Sequence, residues 1–252
     1  MGSSVRKGSR MAKRGTQSVR LEASAGTRDS VLERDVARMA AYWGERRRTW
    51  LDEAARTFDE LLKPFTYHVL DVTIEEIQAV NLCFTEWVLF ERAMRGGKTP
   101  LEVYIERRPS GVPADTLDRL QQVAATQFFS RFAIVEKSRE SGMAILRDIR
   151  TGVCYDVLDP YLCEVDRWRD GVIALRVARV DGLWQAISPV HLYDIASSRK
   201  TVGNGPGAVY PEDRMHVSHG ASMSFYLRLL RDVIGMDGRY TSTMRLRNAL
   251  EA

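Results

Sequence analysis

The chain has 252 residues, 44% of them hydrophobic and 28% charged, enough to bury a real core in one large domain or two small ones. Its three cysteines, Cys83, Cys154 and Cys163, include no C-x-x-C pair, so neither a disulfide framework nor a zinc knuckle is indicated. The net charge of +4 is unevenly placed: residues 1–20 carry six Lys/Arg and no acid, residues 51–196 sum to −6, and residues 197–252 to +3. An acidic middle lies between basic ends, and it is the ends that point to an anionic partner.

Residues 1–28 are rich in Gly, Ser, Arg and Lys and poor in large apolar side chains, so they are expected to be a disordered basic tail. They lack the apolar run and cleavage site of a secretory signal, and no apolar stretch approaches the roughly 20 residues of a membrane span. A cytoplasmic protein without a membrane partner is therefore expected. A long helix should follow Ser30, with Ser30-x-x-Glu33 as its capping box. Leu32, Val36, Met39, Trp43, Trp50, Ala54, Phe58 and Leu61 make its apolar stripe, and Gly44 is its weak point. Arg46, Arg47 and Arg48 fall on this helix as a solvated collar that spans most of a turn and cannot share one face.

Pro64 ends or bends that helix, and Thr73-x-x-Glu76 opens the next, from about Ile74 to Met94. Ile77, Val80, Phe84, Trp87, Val88 and Phe90 mark it as the most buried helix of the set. Glu86 and Glu91 stand about 140° apart around its axis, too divergent for a shared site, and ion pairing with Arg92 or Arg95 is the expected account. Gly96-Gly97 reads as a helix stop, and Thr99-Pro100-Leu101-Glu102 as N-cap, proline at the first helical position and capping-box carboxylate. Gly97-Lys98-Thr99 has the last letters of a phosphate-binding loop, but Arg92 stands where such a loop needs glycine, and a helix precedes it instead of a strand. A further helix is expected over Asp115–Phe129, with Leu117, Leu120, Val123, Ala124 and Phe128 facing inward.

From Phe132 the period changes. FAIVEK, MAILRDI, VCYDVLD, VIALRVARV and LWQAIS are short runs rich in β-branched and aromatic residues, separated by turn signals. They predict an α+β chain: about four helices over residues 29–130, a small antiparallel sheet or barrel of about five strands over 131–196, and a loop, one helix (SFYLRLLRDVIG) and a basic extension over 197–252.

Little in the sequence carries chemistry. His216 and His219, with Glu212 one turn earlier, are the one histidine pair at metal-ligand spacing, and Gly220 weakens the helix that would hold them. His68 and His191 are isolated and read as structural, and Gly203, Gly205 and Gly207 as a flexible loop. There is no G-x-S-x-G and no H-E-x-x-H, so no catalytic residue and no cofactor are assigned.

Phe84, Trp87, Leu89, Phe90, Glu91, Arg92, Gly97, Thr99, Pro100, Leu101 and Glu102, followed by Asp148, Thr151, Gly152, Tyr155 and Val157, fit the pattern F-x-x-W-x-L-F-[DE]-R, G-x-T-P-L-E, D-[IL]-x-T-G-x-x-Y-x-V. In this the chain resembles a group of uncharacterised bacterial proteins, over roughly residues 80–190. Members of that group often carry a zinc motif like the one in the tail of the SecA translocation ATPase; this chain lacks it. The resemblance implies a helical N-terminal part joined to a small β domain, with no established activity.

The expected function is a non-catalytic binding protein that meets a nucleic acid or ribonucleoprotein through its basic ends. Arg6, Lys7, Arg10, Lys13 and Arg14, with Arg46 to Arg48, would contact phosphates without reading sequence. The alternatives are an adaptor that binds a protein partner through the acidic middle or an open sheet edge and, third, a hydrolase assembled from distant residues.

Overall fold

The Ser30 hydroxyl accepts the Glu33 amide at 3.0 Å, and α1 (Val31–Glu45) follows. In this computed structural model, which describes residues 20–23, 30–46, 49–94, 96–194, 209, 224–235 and 246–248, the helix expected to continue to Leu61 stops at Glu45. A second helix, α2 (Thr49–Leu62), takes over. Gly44 makes leaving the helix inexpensive, and the break lets Trp43 and Trp50 meet edge to face, with ring centroids 5.3 Å apart. The apolar stripe is thus shared by two helices.

A 3-10 turn (Phe65–His68) leads to α3 (Ile74–Phe90), opened by the reciprocal Thr73–Glu76 capping box. It ends four residues short of the expected Met94, and its first turn is not buried: Ile74 is 70% exposed and Ile77 36%. Gly96 and Gly97 take φ of 101° and 80°, a region closed to most side chains. They allow the Met94 amide to reach the Lys98 carbonyl at 2.8 Å, and α4 (Pro100–Arg107) then starts on the Thr99–Glu102 capping box. The stretch that looked like a phosphate loop is a helix stop followed by a helix start. Next comes α5 (Ala114–Thr126), shorter than expected because Phe128 already belongs to a strand.

Five strands, β2 (Phe128–Ser138), β3 (Met143–Asp148), β4 (Cys154–Leu158), β5 (Val172–Val180) and β6 (Leu183–Ala186), close into a barrel. The order is β2-β3-β4-β6-β5, and β5 returns to β2. The barrel is mixed and not wholly antiparallel, since β4 and β6 pair in parallel through Val157↔Trp184 and Leu158↔Gln185. A register shift between Ile134 and Glu136 bends β2, so one strand serves two neighbours. Alternation sorts the faces. Ile173, Leu175 and Val177 fill the barrel with Phe132, Leu146 and Val157, whereas Ala174 and Ala178 pack under the helices.

Several elements were not anticipated: α6 (Pro160–Glu164), capped by Asp159, and β7 (Val190–Asp194), which extends the sheet from β5. Arg20–Ala23, inside the segment expected to be disordered, forms β1 antiparallel to β7. The helix α7 (Phe225–Ile234) comes where SFYLRLLRDVIG placed it, and β8 (Leu246–Asn248) runs parallel to β1. Phe58, Leu62, Val80, Trp87, Phe129, Leu192, Leu230 and Val233 form one buried cluster from α2, α3, β2, β7 and α7, so helices and sheet share a core. Among the described residues no helix is long and apolar enough to cross a membrane.

Candidate functional site

Of the predicted anion contacts, only Arg46 is among the described residues; Arg6, Lys7, Arg10, Lys13, Arg14, Arg47 and Arg48 lie outside them, as do His216 and His219. Arg46 caps the end of α1 and does not continue a helix as expected. Its Nη1 donates to the Tyr42 carbonyl at 3.0 Å, and its guanidinium lies 3.6 Å from the centre of the Tyr42 ring. The pairing of β1 with β8 bears on the rest. The strands are parallel, with Leu21↔Leu246 and Ala23↔Asn248; in the sequence, β1 follows the basic residues of 1–19, and β8 follows Arg239 and Arg245.

The buried polar centre joins α3 to β5. Arg176 Nε donates to Glu86 Oε1 at 3.0 Å and Arg176 Nη2 to Glu91 Oε1 at 2.6 Å. Glu86 also accepts from Ser188, Glu91 from Ser224, and Arg176 reaches Gln127. The two carboxylates expected to diverge converge because Glu91 is the residue after the last turn of α3, where helical spacing no longer applies. Their partner is Arg176, and Arg92 instead lies 3.9 Å from Glu53; Arg95 is outside the described residues. Burial pushes the Glu86 carboxyl up against the pull of Arg176, and burial beside Glu86 pushes the Tyr226 phenol up as well. Loss of solvation is the main cause in both, and the neighbouring carboxylates add to it. The centre is a clamp: Ser224 and Tyr226, whose hydroxyl donates to the Cys83 carbonyl at 3.0 Å, bring α7 to it.

A second buried pair sits at the α6 end of the barrel. His191 Nε2 lies 2.7 Å from Asp159 Oδ2, both side chains are buried, and the imidazole stacks on Trp168 at 5.6 Å. Burial lowers the affinity of His191 for a proton, but the Asp159 carboxylate outweighs it and holds the imidazole above its ordinary value. A His–Asp dyad resembles a general-base pair, and this one is buried against Trp168 and Tyr161. A nearby cavity of about 360 Å³ is lined by Asp166, Arg167, Arg169, Asp170 and Tyr193, two acids against two bases. Among the described residues no group of three His, Cys, Asp or Glu could hold a metal.

Two exposed features remain. Tyr67, Leu70, Ile74 and Ile77, within eleven residues of chain, are 46%, 92%, 70% and 36% exposed. At the barrel end away from α6, Phe128, Tyr155 and Trp184 are each half-buried and pack edge-on or tilted, with centroids 5.0 to 5.7 Å apart. Sequence reasoning passed over Arg176 and Trp184. Arg176 had a signal: an arginine inside the apolar strand VIALRVARV needs a buried acid, and Glu86 stood alone in an apolar helix. Trp184 had none, because its position depends on the barrel closing.

No protein-family model matches the chain, and no curated protein or solved structure matches it either.

Proposed function

We propose that the protein is a non-catalytic binding protein whose basic ends engage a nucleic acid or ribonucleoprotein. The supporting observation is the parallel pairing of β1 with β8, which joins the two basic ends of the sequence at one edge of the sheet. Arg6, Lys7, Arg10, Lys13 and Arg14 precede β1, and Arg239 and Arg245 precede β8. Basic side chains in such number neutralise phosphates and release counterions, so binding should weaken steeply with salt. Mixed RNA or DNA should lose affinity between about 50 and 200 mM salt, and deletion of residues 1–19 should flatten that slope. Affinity indifferent to both would remove the reading.

The second reading, an adaptor for a protein partner, is favoured by Tyr67, Leu70, Ile74 and Ile77. A leucine 92% exposed beside an isoleucine 70% exposed is a costly surface for a chain with nothing to bind there. A single stoichiometric polypeptide retained after nuclease treatment, and released by Leu70→Glu, would support it.

A further inference from the structure

Arg34, Arg38, Tyr42 and Arg46 follow one another at four-residue steps from α1 to its C-cap, about 6 Å apart on the axis and turned by about 40° each time, so they form one continuous stripe. The three arginines are exposed, and Tyr42 is half-buried. The stripe runs beside α4. Tyr42 meets the buried Tyr104 edge to face with ring centroids 5.0 Å apart, and Trp43 Nε1 donates to the Pro100 carbonyl at 3.2 Å. Burial raises the Tyr104 phenol, and Arg38 beside it pulls the other way. In the last turn of α4, Arg107 is exposed, and its guanidinium lies 5.7 Å from the centre of the Trp43 ring. Four exposed arginines from two helices thus line one surface, with Tyr42 at its middle.

Helix stability does not account for this charge. Arg107 suits the C-terminal end of α4, but Arg34 closes the first turn of α1, where the helix dipole disfavours a cation. Among the described residues none of Arg34, Arg38 and Arg107 forms an ion pair, and Arg46 lies 3.7 Å from Glu45. The other acids of the two helices are occupied or turned away. Asp35 is buried and accepts from Arg119 at 2.7 Å, Glu102 caps Thr99, Glu106 pairs with Lys98, and Glu33 stands about 140° from Arg38 around the axis. Ala37 and Ala41 are exposed between the arginines, so charge, and not apolar surface, occupies the middle. Protein interfaces have the reverse arrangement, with charge depleted at the core and gathered at the rim.

We propose that this α1–α4 surface binds the phosphate backbone of a nucleic acid, with Arg34, Arg38, Arg46 and Arg107 each at a phosphate and no base read. The proposal rests on the reading that a nucleic acid is bound, and it places the contact on the folded helices, independently of the basic ends. The guanidinium fork fits a pair of phosphate oxygens. Arg34 to Arg46 spans about 18 Å, room for about five phosphates of one strand at roughly 3.4 Å each. A single small anion would use one or two of the arginines, whereas a polymer of phosphates can meet all four.

The test measures binding of the full chain to a mixed-sequence DNA duplex of about 12 base pairs between about 50 and 200 mM salt, where each phosphate contact adds about 0.9 to the slope of log K against log salt. Arg34→Gln/Arg38→Gln should lower that slope by about 2. Arg34→Lys/Arg38→Lys, which keeps both charges, should leave it unchanged. Arg139→Gln/Arg147→Gln, which removes two exposed charges from the barrel, should leave it unchanged as well. All four positions are exposed, so thermal midpoints should stay with the wild type. A slope unchanged in Arg34→Gln/Arg38→Gln, or lowered as much by the barrel substitutions, would overturn this surface; if deletion of residues 1–19 still flattened the slope, the basic-end reading would stand. A slope lowered by Arg34→Gln/Arg38→Gln and untouched by the deletion would keep this surface and remove the basic ends. Polyglutamate bound as tightly as the duplex would overturn the phosphate backbone as occupant. A wild type that binds no nucleic acid would overturn both readings.

Discussion

Arg176 of β5 donates through Nε to Glu86 of α3 at 3.0 Å, with both side chains only 2% exposed, and this bond ties the helical layer to the barrel. The guanidinium also lies 5.1 Å from the centre of the Phe90 ring and 5.5 Å from that of Tyr226, so the charge is sandwiched among aromatic rings as well as acids. Removing it would strand two carboxylates. Arg176→Met is expected to destabilise the fold by about 3–5 kcal/mol in urea denaturation. Arg176→Lys should not restore it, because a single ammonium cannot serve Glu86, Glu91 and Gln127 from one planar fork. Wild-type stability in the methionine variant would show that the clamp contributes nothing.

The His191–Asp159 pair makes stability depend on pH in a defined direction. The folded protein holds the imidazole proton more tightly than the unfolded chain, whose histidine titrates near 6.5. The stabilisation is therefore fully present below that value and is lost as the pH rises through the higher folded value. Denaturation midpoints between about pH 6 and pH 9 should fall for the wild type and flatten for His191→Asn. A wild-type midpoint that rises over this interval, with the variant unchanged, would contradict the assignment.

Gly235 caps α7 where the chain bridges back to Pro64, just after α2. A Cβ there would meet the carbonyl oxygens of Leu62 and Arg231, both backbone atoms that cannot swing aside. Gly235→Ala should cost about 1–3 kcal/mol, the usual range for overpacking, although its φ of −85° suits alanine. Thermal melts of the two proteins measure this; equal midpoints would mean that α2 and α7 can part without cost.

What was legible in the sequence were the features written locally. Thr73–Glu76 and Thr99–Glu102 form their capping boxes, and the five β runs become five strands, because these patterns depend on neighbours within a few residues. The parallel contact between β4 and β6 depends on residues 157 and 184 meeting, and the meeting of Glu86 with Glu91 depends on where α3 unwinds. Neither is encoded in spacing. Helical periodicity carried past the break at Arg46 because Trp43 and Trp50 belong to the same buried cluster on either side of it. His191, structural by its isolation in the sequence, is bonded to Asp159, and Arg176 and Glu86 are each a lone charge in an apolar element, whereas Glu91 joins them only through packing.

The apolar stretch at the start of α3 yields the last prediction. Ile74 and Ile77 lie three residues apart, so they share a face of the helix, and Leu70 leads into it with nearly all of its surface in water. None of the three belongs to the buried clusters. Leu70→Glu and Ile74→Glu should therefore leave stability within about 0.5 kcal/mol of the wild type. If this surface docks a polypeptide, the same substitutions should abolish its retention on the purified protein, while oligonucleotide binding and its salt dependence stay as they were. A protein partner retained by both variants would place its contact elsewhere, and a large loss of stability would show that the stretch is packed rather than open.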